Sequence, residues 1–372
     1  MLRRVRYESS RLRCAPFRGG LGADPVGTAG NYDAFVVVES PLPWARDATG
    51  CWPFDELGWT GPCHEAADGR RWRPVVVAAR SPAGEFAPEA PMITVTTWER
   101  AGPGGSPYRP RRWWTTDAGV VPGIVGSVVD GAGPEGAASG GDDPGPAGPP
   151  VVPGADGTGN LVPPAVHVCT HGRRDVCCGA RGTELFDAAS LARGVLGPVW
   201  SGRPVELWRC SHTGGHRFAP TGITFPDGLV WAELTPGLLH ELGERADRTA
   251  DGREVRPPSA ALVAACRGSS ALPEGPAQVA DRAAWARFGW GWVDGVRRVE
   301  VVGPVPTDPE DPPVMVRLDG WSASGVVHVG VAGHVPTPPC GTTDLPTADQ
   351  PWPVEPEWEV VDSRWRSTST GQ

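Results

Sequence analysis

The stretch HVCTHGRRDVCCGARG, residues His167–Gly182, places three cysteines in a glycine-rich loop directly after a strand-like run, Ala165–Cys169. A second stretch, CSHTGGHRFA at Cys210–Ala219, places two histidines directly after another strand-like run, Val205–Arg209. Loops that follow neighbouring strands can meet at one end of a sheet. We therefore expect the thiols and imidazoles of the two stretches to lie close together.

The residues around these stretches predict the fold. After the first loop, Glu184–Gly194 has the apolar spacing of a helix and ends on a glycine. Strand-like runs on both sides of Pro226–Gly228 predict a β-hairpin. Pro236–Ala246 is predicted to be a helix that begins at its proline. The order strand, loop, helix, strand, loop, hairpin, helix predicts an α/β, thioredoxin-like fold for residues 165–246.

Two spacings, Cys-x8-Cys and His-x3-His, select four candidate metal ligands: Cys169, Cys178, His212 and His216. Two sulfurs and two nitrogens can close a tetrahedral zinc site. The same donors can hold a [2Fe–2S] cluster, with the cysteines on one iron and the histidines on the other. Zinc would make this a structural site that stabilises the fold, whereas the cluster would make it an electron carrier. The donor set alone leaves both functions open.

Neighbouring residues are predicted to shape this site without binding the metal. Glycines let the histidine loop turn tightly and bring backbone close to a cofactor. Arginines offset the negative charge of thiolates, and the remaining cysteines of the two stretches are expected to pack beside the ligands. These surrounding residues are Cys177, Cys210, Arg173, Arg217, Gly214 and Gly215. No residue is predicted to be catalytic.

Charge and composition exclude several classes of protein. The net charge of −9 and the pI of about 5.4 argue against general binding to nucleic acid or to an anionic membrane. The apolar runs are strand-sized, and no apolar run follows the basic start, so neither a membrane span nor a signal peptide is predicted. The nine cysteines are an odd number and do not suggest a disulfide framework. We expect a soluble, cytoplasmic protein.

The length of 372 residues predicts more than one domain. Residues 131–164 are rich in Gly, Pro and Ala and have too few large apolar side chains to build a core, which predicts a flexible linker. The predicted segments are an N-terminal α/β domain at 1–130, the linker at 131–164, the thioredoxin-like domain at 165–246, a C-terminal α/β extension at 247–334 and a Pro-rich tail at 335–372.

The motifs CTHGRRDVCCG and CSHTGGHRFA resemble the signature of the sucrase/ferredoxin-like family, also called thioredoxin-like ferredoxins. Three further stretches extend the resemblance: GTA at Gly27–Ala29, VVVESPLPW at Val36–Trp44 and CRGSS at Cys266–Ser270. The resemblance implies a [2Fe–2S] cluster on Cys169, Cys178, His212 and His216, in a branch where His-x3-His replaces a Cys-x3-Cys pair. It also implies that Cys178 is the ligand and Cys177 its neighbour.

Motif and resemblance together favour an iron–sulfur redox protein that carries one electron. Its expected partner is an unidentified reductase or electron acceptor, with neither nucleic acid nor membrane involved. An electron-transfer protein is favoured over an enzyme that converts a substrate. Two alternatives stay open: a structural zinc-binding module of an interaction protein, and a thiol-dependent oxidoreductase that acts through Cys177 or Cys210.

Overall fold

A computed structural model of the chain describes residues 14–78, 93–131 without 103 and 116, 162–191, 205–250, 256–320, 323–338, 346–347 and 350–367. The predicted linker at 131–164 lies outside these ranges, apart from residue 131 and residues 162–164.

The described residues form strands and helices of ordinary length. The strands are β1 (Ala34–Glu39), β2 (His64–Glu65), β3 (Arg71–Val77), β4 (Ile93–Arg100), β5 (Tyr108–Thr115), β6 (Ala165–Cys169), β7 (Glu206–Cys210), β8 (Gly222–Phe225), β9 (Leu229–Trp231), β10 (Cys266–Ser269), β11 (Arg297–Val302), β12 (Val314–Gly320), β13 (Ala323–Pro336) and β14 (Val354–Ser367). The helices are α1 (Cys14–Leu21), α2 (Val121–Val129), α3 (Thr183–Leu191), α4 (Pro236–Ala250), α5 (Ala260–Ala265), α6 (Pro276–Phe288) and α7 (Trp290–Asp294).

Ten of the described strands form one mixed sheet in the order β10-β9-β8-β6-β7-β3-β1-β4-β5, with β2 paired to β3. The apolar run AFVVVE of β1 is buried almost throughout, as expected for a strand flanked on both sides by other strands. Strand β3 meets β7 where Val77 pairs with Cys210. This pairing joins strands of the first 130 residues to strands of residues 165–269. The sheet therefore runs across the predicted segment boundaries at 130 and 246.

This large sheet curls, and its two halves enclose an apolar core. In β5, the Tyr108 N–H donates to the Pro226 carbonyl at 2.7 Å, and the Arg112 guanidinium binds both carboxylate oxygens of Glu206 at 2.7 and 2.8 Å. Inside the curl, Trp98 stacks on Phe225 with ring centroids 4.7 Å apart. The cysteines of the two sequence motifs line one end of this same core.

A separate four-stranded antiparallel sheet, β11-β12-β13-β14, covers helix α6. Helix α6 has proline at its first position and is followed by Gly289, whose φ of 72° suits a residue without a side chain. The predicted Pro-rich tail contributes the 14-residue strand β14, which pairs along the length of β13. Its residue Trp365 packs edge-on against Phe288 of α6, with centroids 5.3 Å apart.

The mixed α/β class predicted from the sequence is confirmed. Between 165 and 246 the elements follow the predicted order: β6, a loop, α3, β7, a second loop, the hairpin β8–β9, and α4. Strand β6 is parallel to β7 and antiparallel to β8. Among the described helices, none combines the length and the apolar character needed to cross a membrane.

Candidate metal centre

Two adjacent parallel strands deliver the candidate ligands to one end of the large sheet. Cys169 ends β6 and Cys210 ends β7, and the two residues are direct partners in the strand register. The loop after Cys169 leads to Cys178, and the loop after Cys210 leads to His212 and His216. The two loops therefore start side by side, as their positions directly after neighbouring strands predicted.

Three of the four candidate ligands meet at this end of the sheet. The ligand atoms of Cys169, Cys178 and His212 all lie within 4.8 Å of one another. Both thiols are fully buried, with 0% exposure, at the edge of the apolar core. A hydrogen bond from Cys178 lowers the pKa of the Cys169 thiol well below its usual value, and the same shared proton raises the pKa of Cys178. Metal ligation needs thiolates. Of the two thiols, Cys169 is the one whose pKa is shifted toward the thiolate form.

His216 lies to one side of these three residues. Its ring centroid is 6.4 Å from that of His212, and its side chain is 26% exposed. Its Nδ1 atom is 3.0 Å from the thiol of Cys14, the first residue of α1. The Cys14 sulfur in turn lies 3.6 Å from the Cys177 sulfur. The sequence does not single out Cys14, because this residue is isolated along the chain and reaches the site only through the packing of α1.

The carboxylate of Asp175 faces both histidines. Its two oxygens lie 3.1 Å from His212 Nδ1 and 3.5 Å from His216 Nδ1. Burial alone would lower the pKa of His212, but Asp175 and Cys169 raise it above the ordinary value. Burial dominates at His216 and lowers its pKa. For Asp175, burial opposes ionisation, but the two imidazoles and Arg174 outweigh it and hold its pKa below the usual range.

His171 is held away from ligation by its own hydrogen bonds. Its Nε2–H donates to the carbonyl of Ala45 at 2.6 Å, and its Nδ1 accepts the backbone N–H of His212 at 3.2 Å. Donating at one nitrogen and accepting at the other requires the neutral ring. Burial lowers the pKa of His171 and so favours that neutral form. The imidazole therefore supports the histidine loop rather than offering a donor atom.

The distant stretches that resemble the family converge on the histidine loop. The Arg267 guanidinium donates to the Thr28 hydroxyl and to the Gly214 carbonyl, both at 3.0 Å. The backbone at Gly215 has φ of 67°, and a Cβ added there would lie 2.4 Å from the Arg267 Cζ. Burial lowers the pKa of Arg267 to about 10, which still leaves it charged at neutral pH.

The remaining predicted neighbours lie around the same two loops. Trp44 packs edge-on against His171 with centroids 5.6 Å apart, and its carbonyl accepts Arg173 Nη1 at 3.4 Å. Arg217 forms an ion pair with Glu355 of β14 and stacks on Phe218 at 4.6 Å. Cys210 is completely buried, and burial raises the pKa of its thiol well above the usual value.

Gly182 ends one turn of π-helix, Cys178–Gly182, and touches the end of β6. A Cβ added to Gly182 would lie 1.9 Å from the Cys169 carbonyl oxygen. We expect Gly182→Ala to displace the backbone of Cys169 and to lower the free energy of unfolding by about 3 kcal/mol, the upper part of the range for overpacked sites. Bound metal per chain should fall with it. Urea unfolding and metal analysis measure the two effects.

Gly123, in the first turn of α2, provides the matched control for this substitution. A Cβ at that position meets nothing within 4 Å. Alanine is the better helix former, so Gly123→Ala is expected to stabilise the protein by up to about 1 kcal/mol and to leave the metal content unchanged. Equal behaviour of the two variants would contradict the close approach of Gly182 to Cys169.

Comparison with known proteins returned a family model that matches part of this chain. Searches of curated proteins and of solved structures returned no match. A family model described as sucrase/ferredoxin-like matches residues 137–254, which include both motifs and all four candidate ligands. Residues 137–254 are therefore similar to the sucrase/ferredoxin-like family, as the two motifs predicted.

Proposed function

We propose that this chain is an iron–sulfur redox protein that carries one electron on a [2Fe–2S] cluster. The observation that carries the proposal is the group of Cys169, Cys178 and His212, whose ligand atoms lie within 4.8 Å of one another inside the segment that matches the family. The strand order β9-β8-β6-β7, with β6 parallel to β7, is the one expected of a thioredoxin-like fold and supports a ferredoxin of that type.

The chemistry of the donors fits the cluster. Cys169 and Cys178 are assigned to one iron, and His212 and His216 to the other. When bound, the cluster supplies a one-electron couple, which histidine ligation places in the range of roughly −150 to +300 mV. Oxidoreductase activity in the sense of electron transport therefore needs no catalytic side chain.

The two ends of the site differ in their exposure to solvent. The thiols of Cys169 and Cys178 are sealed from water, whereas the side chains of His212 and His216 are 16% and 26% exposed. An electron-transfer partner would therefore approach the histidine side, where Arg217 also lies. The donor and acceptor proposed for this protein are separate redox proteins, because the chain carries no motif for binding a flavin or a nicotinamide.

Structural zinc is the second candidate, and one observation favours it. In a tetrahedral zinc site, bond lengths of about 2.0–2.3 Å place all donor atoms within about 4 Å of one another. The donor atoms of Cys169, Cys178 and His212 lie within 4.8 Å of one another, which is close to that compact arrangement. A thiol oxidoreductase is less well supported, since the Cys210 thiol is fully buried with a raised pKa and is therefore a poor nucleophile.

Metal analysis of protein purified without oxygen distinguishes iron from zinc. The proposal expects about two irons and two sulfides per chain, visible absorption, and an EPR signal that appears on one-electron reduction. Expression with iron supplied keeps metal availability from deciding the outcome. Colourless protein with one zinc per chain under these conditions would overturn the iron–sulfur proposal.

A further inference from the structure

Asp175 is the one carboxylate that the structure places against both candidate histidine ligands within the described residues. Its oxygens lie 3.1 Å from His212 Nδ1 and 3.5 Å from His216 Nδ1, and its side chain is only 8% exposed. A buried carboxylate needs hydrogen-bond donors or positive charge close by. The two imidazoles are in position to supply them.

The backbone holds this carboxylate in place. The Asp175 N–H donates to the His171 carbonyl at 3.1 Å, and the Gly179 N–H donates to the Asp175 carbonyl at 3.0 Å. His171 is itself tied to the N–H of His212 through its Nδ1. The adjacent Arg174 turns outward and forms an ion pair with Asp47. The loop thus fixes Asp175 with its oxygens toward the histidines.

Both histidines turn the same nitrogen, Nδ1, toward this carboxylate, and at His216 this nitrogen also contacts the Cys14 sulfur at 3.0 Å. An Nδ1–H directed at a carboxylate leaves Nε2 as the unprotonated nitrogen of each ring, and Nε2 is then the atom available to a metal. Carboxylates that accept the second N–H of metal-bound histidines are known to fix the ring orientation and to strengthen the ligand. The 3.1 Å approach at His212 and the 3.5 Å approach at His216 are ion-pair distances rather than aligned hydrogen bonds.

We propose that Asp175 is a positioning residue that fixes the tautomer of both His212 and His216, so that each binds the metal through Nε2. The inference rests on the proposed function only in that the histidines are ligands, since it holds for a cluster or for zinc. It assigns a role to a residue that the spacing of the motif leaves unexplained. The carboxylate also adds a negative charge beside the histidine end of the site.

Three variants test this role in the full-length chain. Asp175→Asn keeps the shape and removes the charge, Asp175→Glu keeps the charge, and Asp47→Asn changes the exposed aspartate that pairs with the neighbouring Arg174. Resistance of the bound metal to a chelator is expected to fall about 10- to 100-fold in Asp175→Asn, as for other carboxylates behind metal-bound histidines. Asp47→Asn should match the natural protein, and Asp175→Glu should recover part of the loss.

The reduction potential provides a readout that a packing role would not change. Removing a negative charge favours the reduced state, so Asp175→Asn should raise the midpoint potential, whereas Asp175→Glu should leave it close to the natural value. Nitrogen couplings from 15N-labelled histidine, measured by EPR methods on the reduced protein, should change in Asp175→Asn alone.

The outcomes separate this inference from the proposed function. Zinc in the natural protein would reject the cluster, yet the chelator series would still test Asp175. Asp175→Asn with unchanged metal retention and unchanged potential would overturn the positioning role. Equal metal loss in Asp175→Asn and Asp175→Glu would also overturn it, because the effect would then follow from packing rather than from charge.

Discussion

Serine in place of Cys169 or Cys178 is expected to abolish metal binding, the largest effect that we predict for any substitution in this chain. Each replacement removes one of the two thiolates that meet His212 within 4.8 Å. A serine hydroxyl in the same position is a much poorer ligand for iron or zinc. Iron, zinc and sulfide per chain, with the visible spectrum, measure the result.

Cys177→Ser and Cys210→Ser are the matched controls for this prediction, and both are expected to keep the metal. Cys177 is adjacent to Cys178 but directs its sulfur to Cys14, at 3.6 Å. Cys210 ends the strand that is paired with β6. If Cys177→Ser lost the metal while Cys178→Ser retained it, the choice of ligand would have to be reversed.

Loss of the buried ion pair between Asp281 and Arg297 should give the largest change in stability. Arg297 Nε and Nη2 donate to the two oxygens of Asp281 at 2.6 and 3.0 Å, and the Trp292 N–H donates to the same carboxylate at 2.8 Å. Both ionic side chains are almost completely buried, at 0% and 3% exposure. Asp281→Ala leaves a buried guanidinium without its counter-charge, and we expect the free energy of unfolding to fall by about 3–5 kcal/mol.

A surface pair provides the comparison for that measurement. Asp68 and Arg70 form an ion pair at 2.6 Å, but their side chains are 52% and 35% exposed. Asp68→Ala should therefore cost less than about 1 kcal/mol. Urea denaturation followed by tryptophan fluorescence measures both variants. Equal losses at the two sites would contradict the buried placement of Asp281.

Several elements could be predicted because their sequence signals are local. The β-branched run in β1, the proline and glycine at the two ends of α6, and the turn at Pro226–Gly228 each specify structure within a few residues. The two cysteine and histidine motifs belong to the same class of signal. Each directly follows a strand, so their meeting at one end of the sheet could be expected.

Other features required the tertiary structure. The contact between Cys14 and His216 spans 202 residues, and that between Arg267 and Thr28 spans 239. A lone cysteine and a lone arginine carry no periodic pattern that would predict such contacts. The pairing of β3 with β7 also depends on the packing of the whole core, because the two strands lie more than 100 residues apart.

Asp175 illustrates what the sequence determines and what only the tertiary structure determines. The amino-acid sequence by itself determined that this carboxylate lies in a loop between two candidate ligand cysteines, together with the strand, helix and hairpin order around it. Only the tertiary structure decided that both imidazoles of the second loop turn Nδ1 toward it. The physical reason is that side-chain patterns report burial along one element, whereas the direction of an imidazole is set by groups that other elements bring into contact with it.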